Sequence, residues 1–181
     1  MNIALYGGSF DPPHAGHVAV VKEALRVLPV DQVIVIPASK NPFKPSVRAN
    51  GTDRYGWLKK IFAAYPKVAV SDFEILQNRS VYTIETVRHY AAECDKIYLI
   101  IGADNLEQLS RWHQYGELNE RVEWVVATRG DIPIPETMIR LEVKEPISST
   151  DFRNRFTSLG LDPAIENEII TYYKEINESK N

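Results

Sequence analysis

The chain has 181 residues, 44% of them hydrophobic and 25% charged, which suits one domain, 1–181, with a full hydrophobic core rather than two domains. Its net charge of −3 gives no basic surplus of the kind that marks a nucleic-acid binder, and no apolar run approaches a membrane span. The opening "MNIALYGGSF" lacks the basic start of a secretory signal, and the single cysteine, Cys94, cannot close an internal disulfide, so a cytoplasmic protein is expected.

Strands and helices alternate along the predicted order. A strand over 2–6 ("NIALY") precedes a helix whose apolar stripe is Val18, Val21, Leu25 and Leu28. A second strand over 32–37 precedes a helix over 52–65 carrying Trp57, Leu58, Ile61 and Phe62. A third strand over 67–70 is followed by a second stripe of Ile84, Val87, Ala91 and Cys94, which makes Cys94 a packing residue. Strands over 96–101, 122–127 and 139–143 come next, then two helices within 148–176 and a polar tail. Short β-branched runs of this kind read as strands buried on both faces, and their alternation with helices implies right-handed βαβ units. The expected fold is α/β, a doubly wound and mainly parallel sheet. Ligands in such sheets bind at the carboxyl ends of the strands, which directs attention to the loops after residues 6, 37, 70, 101, 127 and 143.

The loop after the first strand reads "GGSFDPPHAGH", Gly7 to His17. Gly7 and Gly8 tolerate a left-handed backbone and close approach of a ligand. Pro12 and Pro13 stiffen the turn. His14, Gly16 and His17 then open the helix, whose N-terminus favours phosphate through its N–H groups and its dipole. Two imidazoles there add donors, and Gly16 leaves space between them. Plain capping by Asp11 and the histidines competes with this reading but leaves the coincidence of glycines, histidines and helix start unexplained. A zinc site at His14 and His17 lacks a partnering Cys cluster or His/Glu motif, and no G-x-G-x-x-G dinucleotide fingerprint is present.

The stretch "GSFDPPHAGH" resembles the H-x-G-H signature of the nucleotidyltransferases, and in this extended form it is similar to the nicotinate-nucleotide adenylyltransferase family. Matching segments follow in the same order: "IGADNLEQLSRWHQY" (101–115), "ATRGD" (127–131) and "ISSTDFR" (147–153). The resemblance implies a Rossmann-like sheet in the order 3-2-1-4-5 with a further strand, and ATP lying across the first and fourth strands. It also implies adenylyl transfer from ATP to nicotinate mononucleotide, with Mg²⁺ bound mainly through the ATP phosphates and no dedicated metal cage.

Several residues acquire expected roles from this resemblance. His14, His17 and Arg153 are the catalytic candidates. Gly7, Gly8, Ser9, Phe10 and Gly16 fall on the ATP side, as do Gly102, Asp104, Arg129, Ser149 and Thr150. Lys44, Tyr82, Thr83 and Trp112 fall on the mononucleotide side, Trp112 stacking on the pyridine and Thr83 serving its carboxylate. Each has a plainer reading. Ser148-x-x-Asp151 is a possible capping box that alone would account for Ser149 and Thr150, with Arg153 one turn further on. Asp104 is a possible helix cap, and aromatic residues are usually core. Arg155 reads as a surface charge, and His89 and His113 as surface or core histidines. In "PASKNPFKP" (37–45), Phe43 stands where family members often carry histidine, while Lys44 matches their lysine and Lys40 is as easily a solvated charge. Three rivals remain open: an enzyme for nicotinamide mononucleotide, one for phosphopantetheine (which usually has Thr at the place of His14), and a non-catalytic nucleotide sensor on the same fold.

Overall fold

The computed structural model describes residues 1–39 and 48–180. Six strands form one sheet: β1 (Asn2–Gly8), β2 (Gln32–Pro37), β3 (Val68–Val70), β4 (Lys96–Gly102), β5 (Val122–Ala127) and β6 (Ile139–Leu141). Every pairing is parallel, in the order β3-β2-β1-β4-β5-β6, so the chain reverses its direction of travel across the sheet between β1 and β4. The expected 3-2-1-4-5 order with a sixth strand is the observed one. Helices α1 (Ala15–Val27), α2 (Gly51–Phe62), α3 (Phe73–Leu76), α4 (Thr83–Ala91) and α5 (Tyr115–Arg121), with the 3₁₀ segment Ala103–Arg111, connect the strands, and α6 (Ser149–Arg155) and α7 (Pro163–Ser179) close the chain. α3 and α5 have no counterpart among the predicted elements, because each is too short to show a full apolar period, while the 3₁₀ segment stands where the sequence makes Asp104 a possible helix cap.

Alternate residues of each strand feed opposite layers. Ala4, Tyr6, Val33, Val35, Tyr98, Ile100 and Val125 pack with α1 and α2. Ile3, Leu5, Ile34, Ile36, Ile97, Leu99 and Val126 pack with α4 and α5. Each of the Val, Leu and Ile side chains contributes roughly 1.5–3 kcal/mol on burial, so the two layers dominate the stability of the sheet. A third cluster joins Trp57 of α2 to Phe152 of α6 and to Ile169 and Tyr173 of α7, which lays the C-terminal helices beside the first half of the sheet. Cys94 sits against the second layer, as its stripe predicts. Among the described residues, no helix is long and apolar enough to cross a membrane.

Two ionisable side chains lie deep in this frame. Arg54 of α2 is fully buried, and its guanidinium donates to Ala49 O (3.0 Å), Ser9 O (2.7 Å) and Ser39 O (3.4 Å), tying the ends of β1 and β2 to the start of α2. Glu74 of α3 accepts a 2.7 Å hydrogen bond from the Thr86 hydroxyl of α4. Burial pushes the Glu74 carboxyl up from the ordinary 4.5 to about 7, with Glu85 acting in the same direction and the Thr86 bond opposing it. A carboxyl raised in the folded state is neutral without cost below pH 4.5, and its ionisation then costs increasingly as pH climbs through about 7. The penalty at alkaline pH is on the order of 2–3 kcal/mol. Glu74→Gln is therefore expected to raise the melting temperature by several degrees at pH 8, with the gain shrinking toward pH 5. A gain that is the same at both pH values, or a loss, sinks the linkage.

Candidate active site

β1 runs through Gly7 and Gly8, which pair with Ile36 and Pro37 of β2. The left-handed backbone that the sequence assigns to these glycines falls instead at Phe10, with φ 48°. Gly8 supplies close approach of a different kind: a Cβ there would lie 3.3 Å from the Phe10 ring, which turns back over it. Phe10 is thus buried and meets Tyr6 (5.4 Å) and His17 (4.7 Å) edge to face, so its ring supports His17 from within the protein. Ser9 contributes its carbonyl to Arg54.

After the cis Asp11–Pro12 bond, His14 caps α1. Its Nδ1 accepts from the Gly16 N–H at 3.0 Å, and Nδ1 of His17 accepts from the His14 N–H at 3.1 Å. This is a capping box built from two imidazoles. Because each Nδ1 receives a proton donor, each neutral ring carries its hydrogen on Nε2. The rings stack with centroids 3.8 Å apart. Gly16 is required by this arrangement, since a Cβ would stand 2.7 Å from Cε1 of His14. Burial, and secondarily the Arg129 guanidinium, hold the His14 ring down at about 4, so it is neutral at pH 7. The first-turn amides are engaged within the protein: Ala15 N–H donates to Leu159 O (2.8 Å), and the N–H groups of His17 and Val18 to His14 O. Donation to a phosphate at this turn would therefore come from imidazole Nε2–H groups more than from the amides that the sequence suggests.

The second helix start lies against the same turn. Ser148 caps α6 by accepting from the Asp151 N–H at 3.0 Å, the half of the predicted capping box that forms. The Ser149 hydroxyl donates to Pro12 O at 2.7 Å. Arg153 donates from Nη1 to Asp11 O at 2.6 Å and from Nη2 to the Thr150 hydroxyl at 3.4 Å. Sequence positions 137 and 142 residues apart thus meet around one loop. At the end of β4, Gly102 rather than Asp104 caps the 3₁₀ segment, and a Cβ on Gly102 would strike the Asp104 carboxylate at 2.6 Å. Asp104 instead faces Arg129, at the end of β5, at 3.7 Å.

On the other side of β4, Trp112 ends the 3₁₀ segment and packs 6.3 Å from Trp124. Tyr82 caps α4 immediately before Thr83, is 44% exposed, and stacks on His113 at 4.2 Å. Arg88 of α4 reaches Gln114 (2.6 Å) and Glu117 (3.0 Å), so α4 and the segment after Trp112 are held together. His89 stacks on Phe73 at 4.0 Å, and Arg155 is exposed. Lys40, Phe43 and Lys44 lie outside the described residues.

Arg54 and Tyr173 are site-building residues that the sequence does not single out, and Asp11, which the sequence offers only as a cap, is a third. Asp11 is buried and accepts from the N–H groups of Arg48 (2.9 Å) and Ala49 (3.0 Å) and from the Tyr173 hydroxyl. Its place inside the opening motif was the one available signal; its partner 162 residues away carries none. Among the described residues, no three His, Cys, Asp or Glu side chains are grouped as a metal ion would require.

The chain matches the cytidylyltransferase-like family over residues 5–155, a span that includes every site residue expected from the sequence but not Tyr173. Among curated proteins, a probable nicotinate-nucleotide adenylyltransferase of Sulfurimonas denitrificans is 48% identical over 96% of this chain and 95% of its own length. The chain belongs to the nicotinate-nucleotide adenylyltransferase family. Another member, from Nitratiruptor, is 46% identical over 96% of this chain and 99% of its own, and one from Campylobacter jejuni is 42% identical over 99% and 100%. The fold agrees with that of solved structures. The Plasmodium falciparum nicotinic acid mononucleotide adenylyltransferase complexed with NaAD superposes with TM-score 0.76 at 20% identity, covering 96% of this chain and 97% of that one. A Vibrio parahaemolyticus protein described as a putative nicotinate-nucleotide adenylyltransferase gives 0.67 at 22% identity, covering 93% and 98%.

In this adenylyltransferase the role of Gly16 separates stability from function. Gly16→Ala improves helix propensity by up to ~1 kcal/mol but drives a methyl into the His14 ring. The melting temperature is expected to stay within a few degrees of wild type while pyrophosphate release falls at least tenfold. Undiminished release would show that the His14 ring position is immaterial.

Proposed function

We propose that this protein transfers the adenylyl group of ATP to nicotinate mononucleotide, releasing nicotinate adenine dinucleotide and pyrophosphate, a step of NAD biosynthesis. The observation that carries the residue roles is the meeting of the paired imidazoles with Arg153 and the Ser149 hydroxyl around one short loop at the carboxyl end of β1. Relatives 42–48% identical over nearly the whole chain bear the name of this activity.

The mononucleotide phosphate is already a nucleophile. One of its oxygens bonds to the α-phosphorus of ATP in line, the bond from that phosphorus to the bridging α–β oxygen breaks, and its electron pair leaves with pyrophosphate. No serine or cysteine need be activated. Catalysis is placement plus stabilisation of charge on the transferring and leaving phosphates. His14 and His17 donate Nε2–H to phosphate oxygens, and the triphosphate charge offsets the influence of Arg129 on His14. Arg153, with Ser149 and Thr150, takes the leaving pyrophosphate, since a guanidinium offers a planar fork to its oxygens. Gly7, Gly8, Ser9, Gly102, Asp104 and Arg129 line the ATP side across β1 and β4, and Phe10 acts behind His17.

Trp112, anchored on Trp124, offers the stacking face for the pyridine. Tyr82 and Thr83 stand at the adjoining start of α4, and Lys44 is assigned to the mononucleotide phosphate. The ATP phosphates themselves would hold Mg²⁺, which would supply positive charge there, since the Asp11 carboxylate is already occupied by protein donors and Asp104 faces Arg129.

The test is pyrophosphate release from ATP and Mg²⁺ with nicotinate mononucleotide, nicotinamide mononucleotide and phosphopantetheine in parallel. Preference for the first is expected. Preference for another acceptor keeps the phosphate site and overturns the ring pocket, and ATP binding without release from any acceptor overturns the enzyme reading. Trp112→Ala is expected to raise KM for nicotinate mononucleotide about tenfold or more while leaving KM for ATP within twofold. Equal damage to both substrates would remove Trp112 from the pocket.

A further inference from the structure

Tyr173 lies on α7, 162 residues along the chain from Asp11, yet its hydroxyl reaches the carboxylate of Asp11. Its ring is fixed by Phe152 at 5.5 Å and Trp57 at 6.0 Å. The neighbouring Tyr172 accepts from the Asn50 N–H at 3.3 Å, and Lys60 pairs with Glu168, so α7 is seated firmly on α2. Asp11 divides its two oxygens. Oδ1 takes the Ala49 N–H and the Tyr173 hydroxyl; Oδ2 takes the Arg48 N–H and stands 3.9 Å from Nη1 of Arg153. The same Nη1 donates to the Asp11 carbonyl at 2.6 Å.

We propose that Tyr173 is a positioning residue for the phosphate end of the active site. By donating to Oδ1 it saturates the buried carboxylate on the side away from Arg153. The guanidinium then rests on the Asp11 carbonyl instead of closing onto the carboxylate, and keeps hydrogen-bonding capacity for phosphate. Without the hydroxyl, the carboxylate has lost a charge-assisted donor, and Arg153, whose Nη1 already stands 3.9 Å from Oδ2, is the guanidinium poised to replace it, because that of Arg54 is engaged by three carbonyls. The inference rests on the placement of Arg153 at the leaving pyrophosphate.

The test is a double-mutant cycle with two readouts, turnover at saturating substrates and binding of inorganic pyrophosphate with Mg²⁺ by calorimetry. Tyr173→Phe keeps the ring and its packing. It is expected to lower kcat and weaken pyrophosphate binding about tenfold each, the worth of one hydrogen bond to a charged group, with KM for nicotinate mononucleotide within twofold. In an Arg153→Ala background the same change is expected to have less than a twofold effect. Replacing Tyr173 with 4-aminophenylalanine, which retains a ring donor, is expected to restore both readouts and keeps the question answerable if the phenylalanine variant folds poorly. Wild-type values in Tyr173→Phe, equal losses in both backgrounds, or no pyrophosphate binding by the wild type would each overturn the proposal. A wild type that binds pyrophosphate but transfers no adenylyl group would overturn the functional reading alone, because the binding cycle still decides this one.

Discussion

A carboxylate withdrawn from water costs several kcal/mol unless donors replace the solvent, and Asp11 meets that demand by drawing three distant parts of the chain to one point. Arg48 and Ala49 arrive from the start of α2, Tyr173 from the last helix, and Arg153 from α6. Arg54 performs the reciprocal task with a buried cation, satisfying carbonyls at the ends of β1 and β2 and beside α2. The loop that carries the histidines is held between these two charges. Its shape is a consequence of where α2, α6 and α7 settle, and those helices settle on a separate apolar cluster of Trp57, Phe152, Leu159 and Ile169.

Within that loop the histidines stabilise the fold by capping α1, and the proposed phosphate role asks no rearrangement of them. Their Nδ1 atoms cap α1 and their Nε2 atoms are left as the protonated positions. A ring fixed at one nitrogen by a backbone amide loses little freedom when the other meets a phosphate, which is the preorganisation that charge stabilisation requires. A Cβ at Gly16 would strike the His14 ring and one at Gly8 would crowd the Phe10 ring that backs His17, so both glycines make room for side chains of this loop.

The sheet supplies the third constraint. With all six strands parallel and the chain reversing its course between β1 and β4, the loops after β1, β4 and β5 lie together at one edge. Arg129 and Asp104 face each other from the ends of β5 and β4, and Trp112 is backed by Trp124 of β5. The groups proposed for ATP and those proposed for the pyridine therefore both lie beside β4 and β5.

The strand runs, the α1 and α4 stripes, the doubly wound parallel sheet and the loops worth searching were all readable from local pattern, because burial on two faces leaves a continuous apolar signature and an amphipathic helix a periodic one. The motif around His14 and His17 was readable too, since Gly, Pro and His in that order have few structural uses. What no local pattern carries is long-range pairing. Nothing in the neighbourhood of Tyr173 marks it as a partner of Asp11, nothing near Arg54 marks it as a buried cation, and the spending of the α1 amides on Leu159 and on the cap itself appears only when the chain has closed. The short α3 and α5 were invisible for the converse reason: they span too few turns for periodicity and are set by their neighbours. Composition and spacing thus specified the layers, and the family resemblance named the candidate chemistry-bearing residues, whereas the orientation of both was decided by tertiary contacts, through donors and acceptors that must find one another across the fold once water is excluded.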